Sequence, residues 1–288
     1  MSTDPDQRLA AGFKAACLAE LEAIKPGNVH VFADGHGMVV EDFVRSAEAA
    51  AGAIARPGIS VGERIHCSVD ASLRAVGCNT NLGIVLLCAP MIHAMLAGSA
   101  GDLRERLQRV LRNLSIADAD LTFRAIVQAA PAGLGQSVRH DVHATPQVTL
   151  LEAMREAGQR DRIAFQFVND YVDVFDFALP RYRELLARWD RPAWAVTGLY
   201  LGFLARWPDT HVTRKFGMAM AEAVRREAEM QERAFLGMDN PRQYQRPLLD
   251  FDASLKHRGI NPGTSADLTV ATLLAHALEK MVTEFAAS

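Results

Sequence analysis

Apolar residues recur at helical intervals along almost the whole chain. In the first such segment Leu9, Phe13, Cys17 and Leu21 lie four positions apart, which places them on one face of a helix. The sustained alternation of apolar and polar residues that is typical of half-buried strands is missing, and clusters of β-branched residues are sparse. The pattern therefore predicts an all-α fold.

Helix-start and helix-stop signals bound the predicted helices. Ser60 and Glu63, for example, form a capping-box pattern, in which the two side chains satisfy free backbone N–H groups at a helix start. No internal repeat, low-complexity tract or long Pro/Ser-rich linker separates the helices, so we expect a single domain over residues 1–288, a multi-helix bundle. The predicted helices cover residues 8–24, 41–55, 60–76, 82–96, 115–129, a segment starting at 149, and 161–177, 180–188, 192–207, 212–236 and 264–285.

The most apolar stretch of the chain is residues 82–96. It is interrupted by Gly83, Pro90 and His93, and it is shorter than the ~20 apolar residues that a membrane-spanning helix needs. We therefore interpret it as a buried core helix, and we expect no membrane partner.

Composition and charge narrow the class of protein. The chain has 288 residues, 49% of them hydrophobic, which is enough to bury a full core, and a formal net charge of -3. Without a basic excess, nucleic acid is not expected as the main partner. The four cysteines form no CxxC pair, and the opening residues show no signal-peptide pattern, so the sequence predicts a cytoplasmic protein.

The junctions between predicted helices are richer in Gly, Asn, Asp, His and Thr than turning alone requires. Free N–H groups and the positive dipole end at a helix start favour an anion such as phosphate, and glycine permits close approach of the backbone to a ligand. The sequence therefore predicts an active site at the helix junctions. The five junctions are KPGNVH (25–30) running on to His36, GCNTNLG (77–83), PAGLG (131–135) with His140-Asp141, DTH (209–211) with Arg214-Lys215, and NPGTSAD (261–267).

Each junction also has a purely structural interpretation. Residues 264–267 fit a capping box, Asn79-Thr80-Asn81 fit turn and cap chemistry, and Lys25-Pro26-Gly27 fits an ordinary helix stop. The familiar nucleotide signatures, a Walker A loop or GxGxxG, are absent from the sequence, as is HExxH.

Taken in order, the junctions resemble one family. The segments KPGNVH, His36-Gly37-Met38, NTNLG, GLG with HDV, DTH with Arg214-Lys215, and NPGTSADL resemble the triphosphoribosyl-dephospho-CoA synthase family over roughly residues 20–278. The resemblance implies an all-helical transferase that takes ATP and 3′-dephospho-CoA. It would displace adenine from the ribose C1 of ATP and join the triphosphoribosyl unit to a hydroxyl of dephospho-CoA, making a prosthetic-group precursor.

That reaction needs an acid toward the leaving adenine, a base for the incoming hydroxyl, and Mg²⁺ with cationic groups for the triphosphate. On the resemblance we expect acid/base work from Asp267, Asp209, His211 and His36, and Mg²⁺ binding by Asp209 and Asp267. The expected substrate- and phosphate-binding residues are Lys25, Gly27, Asn28, His30, Asn79, Thr80, Asn81, Gly83, Arg214, Lys215, Gly263, Thr264 and Ser265.

The chain departs from the family's citrate-lyase branch in these loops. That branch follows KPG with Leu-Val-Asp-Arg where this chain has residues 28–31, Asn-Val-His-Val, and it has Ser-Pro-Gly-Gly-Ser-Ala-Asp where this chain has NPGTSAD. Family members whose loops resemble those of this chain, and not those of the citrate-lyase branch, occur in organisms that make methanopterin-type one-carbon cofactors. One alternative is therefore a transferase of the same fold acting on another phosphorylated precursor of a methanopterin- or methanofuran-type cofactor. A second alternative is a non-catalytic helical binding subunit. The sequence leaves open the acceptor, the pathway, the oligomeric state, with a homodimer as one possibility, and which carboxylates bind metal.

Overall fold

A computed structural model describes residues 4–131, 140–189 and 191–286 of the chain. These residues form α-helices and contain no β-strand, which confirms the predicted all-α class. The helices are α1 (Pro5–Leu21), α2 (Val40–Ile54), α3 (Val61–Val76), α4 (Leu82–Leu96), α5 (Leu103–Arg112), α6 (Ile116–Ala129), α7 (Leu150–Ala157), α8 (Arg162–Val168), α9 (Leu179–Arg188), α10 (Pro192–Arg206), α11 (Thr210–Phe216), α12 (Met218–Leu236), α13 (Gln245–His257) and α14 (Gly263–Ala286).

Side-chain caps set the start of several helices. Ser60 at the start of α3 accepts a hydrogen bond from the backbone N–H of Glu63, whose carboxylate accepts from the Ser60 N–H in return. Asp102, Ser115 and Thr149 make the same reciprocal arrangement before α5, α6 and α7. Such a cap satisfies free donors of the first turn and typically contributes about 1 kcal/mol. The starts at Ser60, Ser115 and Thr149 are where the local sequence predicts them, whereas the helix after Asp102 was not predicted.

Helix α4 lies in the centre of the core, as its apolar sequence predicts. Twelve of its 15 residues are buried, and it packs against α3, α5 and α14. Helices α1, α10 and α14 contribute further buried residues to the same core. No helix in the described part of the chain is long and apolar enough to cross a membrane. The single domain over residues 1–288 stays a prediction from the sequence.

The helix predicted over 161–177 is interrupted in the structure. Helix α8 ends at Val168, Asp170 and Tyr171 take positive φ angles of 49° and 55°, and a π-helical turn, Asp173–Ala178, follows. The fully buried Tyr171 donates a hydrogen bond from its hydroxyl to the Leu87 carbonyl of α4, at 3.0 Å. This long-range contact accompanies the break, and periodicity does not reveal it.

The helix predicted over 212–236 is also two helices. Gly217 takes a φ of 85°, a backbone conformation that other residues rarely adopt, and it separates α11 from α12. Two further helices, α5 and α13, lie where the sequence analysis assigns none. The prediction was therefore wrong at these breaks and incomplete at α5 and α13.

Candidate active site

A cavity of about 740 Å³ lies where the predicted junctions meet. Its volume is within the ~300–1,000 Å³ range that is usual for small-molecule sites. The starts of α4 and α14, the end of α1, parts of α6, α7, α8 and α11, and the loop before α2 surround it. Of the predicted site residues, the wall includes Asn28, His36, Asn79, Thr80, Asn81, Gly83, His211, Arg214, Lys215, Gly263 and Asp267.

Residues 79–81 shape the start of α4 as well as the cavity wall. The Asn79 side-chain carbonyl accepts a hydrogen bond from the Leu82 N–H at 3.1 Å. The Asn81 side-chain amide donates to the Ser72 hydroxyl at 2.9 Å, and the Thr80 hydroxyl donates to the Ser46 hydroxyl at 2.6 Å. The structural interpretation of this motif therefore accounts for its contacts, but the turn also presents the start of a 15-residue helix to the cavity.

Asp267 lies against the start of α4. A Cβ atom added at Gly83 would clash with the Asp267 carboxylate, so only glycine at position 83 leaves room for this side chain. Within the described chain the carboxylate has no hydrogen-bond or ion-pair partner and lines the cavity. Burial raises the pKa of Asp267 well above its ordinary value, and the negative charges of Asp209 and Glu20 raise it further. The group is thus a carboxylic acid suited to donating a proton.

His211 lies beside α14, next to Gly263, which is one helical turn before Asp267. A Cβ atom at Gly263 would lie 2.5 Å from the His211 Nδ1 atom, and residues 263 and 267 share a face of α14 because they are four positions apart. Burial lowers the pKa of His211, which favours the neutral imidazole. An acid and a potential base therefore lie on neighbouring parts of one cavity wall.

Asp209 lies behind this wall and does not line the cavity. Its Oδ1 atom accepts hydrogen bonds from the N–H groups of His211 and Val212, at 2.9 and 3.1 Å. Its Oδ2 atom accepts from the N–H and the hydroxyl of Ser265, both at 2.8 Å. The carboxylate thus caps α11 and attaches it to the first turn of α14.

Thr264 and Ser265 form hydrogen bonds at the same junction between α11 and α14. The Thr264 hydroxyl oxygen lies 3.0 Å from that of Thr210 and accepts a hydrogen bond from the His211 N–H at 3.2 Å. Because α14 begins at Gly263, Thr264 lies inside the helix and does not form the capping box with Asp267 that the sequence allows. Both hydroxyl residues are buried away from the cavity.

Lys25 is fully buried and does not reach the cavity wall. Its ammonium donates hydrogen bonds to a Glu20 carboxylate oxygen and, at 3.1 Å, to the Asn28 side-chain carbonyl. The Asn28 amide in turn donates to the side-chain carbonyl of Asn261 at 2.8 Å. Asn28, Asn261 and Glu20 line the cavity, so the KPGN motif contributes to the site through the partners of its lysine.

The loop after this motif places His36 at the cavity. His36 has a φ of 57°, and its Nε2 atom lies 2.8 Å from the Gly27 carbonyl oxygen. Because a carbonyl can only accept, Nε2 carries the hydrogen, and Nδ1 is left as the ring's acceptor. Gly27 is held in turn by Asp252, which accepts from its N–H at 2.8 Å.

His30 supports this loop from inside and does not line the cavity. It is fully buried, its Nδ1 atom accepts from the Phe32 N–H at 3.3 Å, and its Nε2 atom lies 3.5 Å from Asp252. Gly27 has a φ of 84°, and a Cβ atom there would lie 2.8 Å from the Pro262 ring. These two residues of the KPGNVH motif therefore position the loop.

Cationic side chains from two elements border the cavity. Arg214 on α11 forms an ion pair with Asp161, and the exposed Lys215 lies 3.5 Å from the Gly259 carbonyl. Arg160, to which no sequence motif points, borders the cavity from the segment before α8. His140 and Asp141 also line it, whereas residues 132–135 of the predicted PAGLG junction lie outside the described residues.

The fold and the site define an all-helical protein whose cavity joins a half-buried acid to helix starts and cationic groups. A family model described as ATP:dephospho-CoA triphosphoribosyl transferase matches residues 6–284, so the chain belongs to that family and is a transferase. A crystal structure from Archaeoglobus fulgidus, described as a triphosphoribosyl-dephospho-CoA synthase, has a similar fold, with a TM-score of 0.62 and 25% sequence identity. The match covers 81% of this chain and 97% of that one. No curated protein matches the sequence.

These findings confirm the family resemblance and the transferase class that the ordered motifs predict. They also decide against the alternative of a non-catalytic helical binding subunit. The roles of individual residues stay predictions.

Proposed function

We propose that the protein transfers the triphosphoribosyl unit of ATP to a ribose hydroxyl of 3′-dephospho-CoA and releases adenine. The observation that carries this proposal is the cavity of about 740 Å³. It brings together a carboxyl group without a protein partner in the described chain, three histidines, two helix starts and three cationic side chains, drawn from junctions that are far apart in sequence.

Asp267 is the acid in this proposal. The bond between the ribose C1 and adenine breaks with its electron pair leaving on the base, and a proton on the base makes adenine a better leaving group. Burial raises the pKa of Asp267, which favours the protonated carboxyl that this step needs. Its place beside Gly83 puts the acid at the start of α4, where the helix N–H groups favour the negative phosphates of the same substrate.

His36 is the base for the incoming hydroxyl. The Gly27 carbonyl holds the ring with hydrogen on Nε2, so Nδ1 can accept the hydroxyl proton as the new bond from oxygen to C1 forms. His211, whose neutral form is favoured because burial lowers its pKa, is the second proton acceptor on the wall. The proton taken from the acceptor replaces the one given to adenine, so the reaction is balanced.

Arg214, Lys215 and Arg160 are the cationic groups for the triphosphate, with Asn79 and Asn81 orienting it at the start of α4.

Among the described residues no group of three His, Cys, Asp or Glu side chains could hold a metal ion. Mg²⁺ commonly binds through substrate phosphates together with one or two carboxylates. Asp267 would bind it only in the ionised form, which is not the form that donates the proton, and both oxygens of Asp209 already accept hydrogen bonds. The triphosphate oxygens would therefore be its main ligands. Mg²⁺ would neutralise triphosphate charge.

The direct test is chromatographic detection of adenine after incubation with ATP and Mg²⁺. We expect adenine release that requires 3′-dephospho-CoA and does not occur with ATP alone. Absence of adenine with ATP and dephospho-CoA would contradict the proposal and would favour the alternative of another phosphorylated acceptor.

The cytoplasmic location and the homodimer stay predictions from the sequence.

A further inference from the structure

Glu20 is a further carboxylate at the cavity, and no sequence motif points to it. It lies near the end of α1 and is only 3% exposed, yet it lines the cavity. Its Oε1 atom accepts the hydrogen bond from Lys25. Its Oε2 atom has no hydrogen-bond partner among the described residues and is not among their fully buried unpaired atoms, and the residue lines the cavity.

Glu20 and Asp267 have different surroundings. Glu20 has the ammonium of Lys25 as a direct partner, whereas Asp267 has no cation in hydrogen-bond contact within the described chain. The two carboxylates are close enough for the charge of Glu20 to raise the pKa of Asp267. Burial raises the pKa of Glu20 and lowers the pKa of Lys25, and the hydrogen-bonded contact between the two side chains opposes both shifts by favouring the charged pair. A pair of carboxyl groups kept in different environments is the usual arrangement when one group donates a proton and the other stays ionised.

We propose that Glu20 is a catalytic carboxylate that stabilises the cation-like ribose as adenine leaves. The assignment rests on the proposed function. As the C1 bond to adenine breaks, its electron pair leaves on the base together with the proton from Asp267. Positive charge then develops on C1 and the ring oxygen, and the ionised Glu20 oxygen faces it without forming a bond. The acceptor hydroxyl oxygen bonds to C1 and gives its proton to His36.

A purely structural role for Glu20 must be distinguished from this one. A buried ammonium without a partner is costly, so Glu20 could be needed only to compensate Lys25. If so, removing both charges together should restore the enzyme, because an uncharged pair leaves no buried charge unpaired. If Glu20 acts on the substrate, the uncharged pair should remain inactive.

The test compares Glu20→Gln with the double variant Glu20→Gln/Lys25→Met. Glu22→Gln is the matched control, since Glu22 lies two positions further along the chain and is exposed. Single-turnover adenine release at saturating ATP and dephospho-CoA measures the chemical step, titration calorimetry measures ATP binding, and the melting temperature checks the fold. Glutamine preserves the size of the side chain, and the double variant keeps the core folded if the single one does not.

We expect adenine release to slow by about 10²–10³-fold in both Glu20 variants, with the Kd for ATP within about threefold of wild type. Glu22→Gln should match wild type. Wild-type rates in Glu20→Gln, or recovery of the wild-type rate in the double variant, would overturn the catalytic assignment and leave the proposed function standing. A wild-type protein that releases no adenine would overturn both.

Discussion

Asp267 is held in an environment that opposes its own ionisation. Burial raises its pKa, the nearby charges of Asp209 and Glu20 raise it further, and no described side chain donates a hydrogen bond to it. Because the same carboxyl ionises at a lower pH in the unfolded chain, holding it in this environment costs stability above the unfolded-state pKa. Replacing the Asp267 side chain should therefore change the thermal stability of the protein as well as its activity.

We predict that Asp267→Asn raises the melting temperature at about pH 8 and that the gain disappears toward about pH 4. In wild type the pKa of Asp267 is higher in the folded protein than in the unfolded chain. The folded protein is therefore relatively more stable at low pH, and this stability is lost as the pH rises through the folded-state pKa. Asparagine carries no charge and avoids that loss. We expect a gain of at least about 2 °C at the alkaline end, measured by thermal unfolding across the pH range.

Asp239→Asn is the control for this measurement, because Asp239 is exposed and lies outside the cavity lining. It should leave the melting temperature close to wild type at every pH. A melting temperature of Asp267→Asn that follows wild type throughout would mean that the carboxyl is ionised without cost in the folded protein.

At the level of secondary-structure elements, the starts of α4 and α14 each have a glycine that lies against a functional side chain of another helix. Gly83 at the start of α4 leaves room for Asp267, and Gly263 at the start of α14 leaves room for His211. Asp209 fixes the approach of α11 to α14 through four hydrogen bonds. Each pair of helices is therefore in contact through small or polar residues, and the reactive side chains fill the space that the glycines provide.

We predict that Gly83→Ala slows adenine release by at least about tenfold and leaves the protein folded. The added methyl group would displace the Asp267 carboxylate and would also lie 2.8 Å from the Ile163 Cδ1 atom. Gly52→Ala is the matched control, because Gly52 lies in α2 and a Cβ atom there meets nothing within 4 Å. It should keep wild-type activity and gain roughly 0.5–1 kcal/mol of stability from helix propensity. Equal rates in the two variants would contradict the proposed position of Asp267.

Local signals predicted some helix boundaries well and others poorly. The capping pairs at Ser60 and Ser115 place the starts of α3 and α6 because a cap depends only on residues three positions apart. The break at residues 169–171 accompanies the long-range hydrogen bond of Tyr171, which the local pattern does not contain. Gly217 was visible in the sequence, but a single glycine inside an apolar period does not by itself predict a positive φ.

At the scale of the whole molecule, the ordered motifs predicted the region of the site better than the contacts of each residue. Asn79, His36 and Asp267 line one cavity although they lie in separate parts of the sequence. The sequence could not show that Lys25 points to Glu20, or that Asp209 caps α11, because both facts depend on which helix packs behind which. The same limit hid Glu20 and Arg160, which belong to no junction motif.

Adenine release by Asp267→Asn and by wild type, in single-turnover mixtures with ATP, Mg²⁺ and 3′-dephospho-CoA, tests directly whether Asp267 is the acid. We expect the variant to remain folded, to bind ATP with a Kd within about threefold of wild type, and to release adenine about 10²–10⁴-fold more slowly, because the leaving base no longer receives a proton. Release of adenine by the variant at the wild-type rate would show that this carboxyl is not the acid.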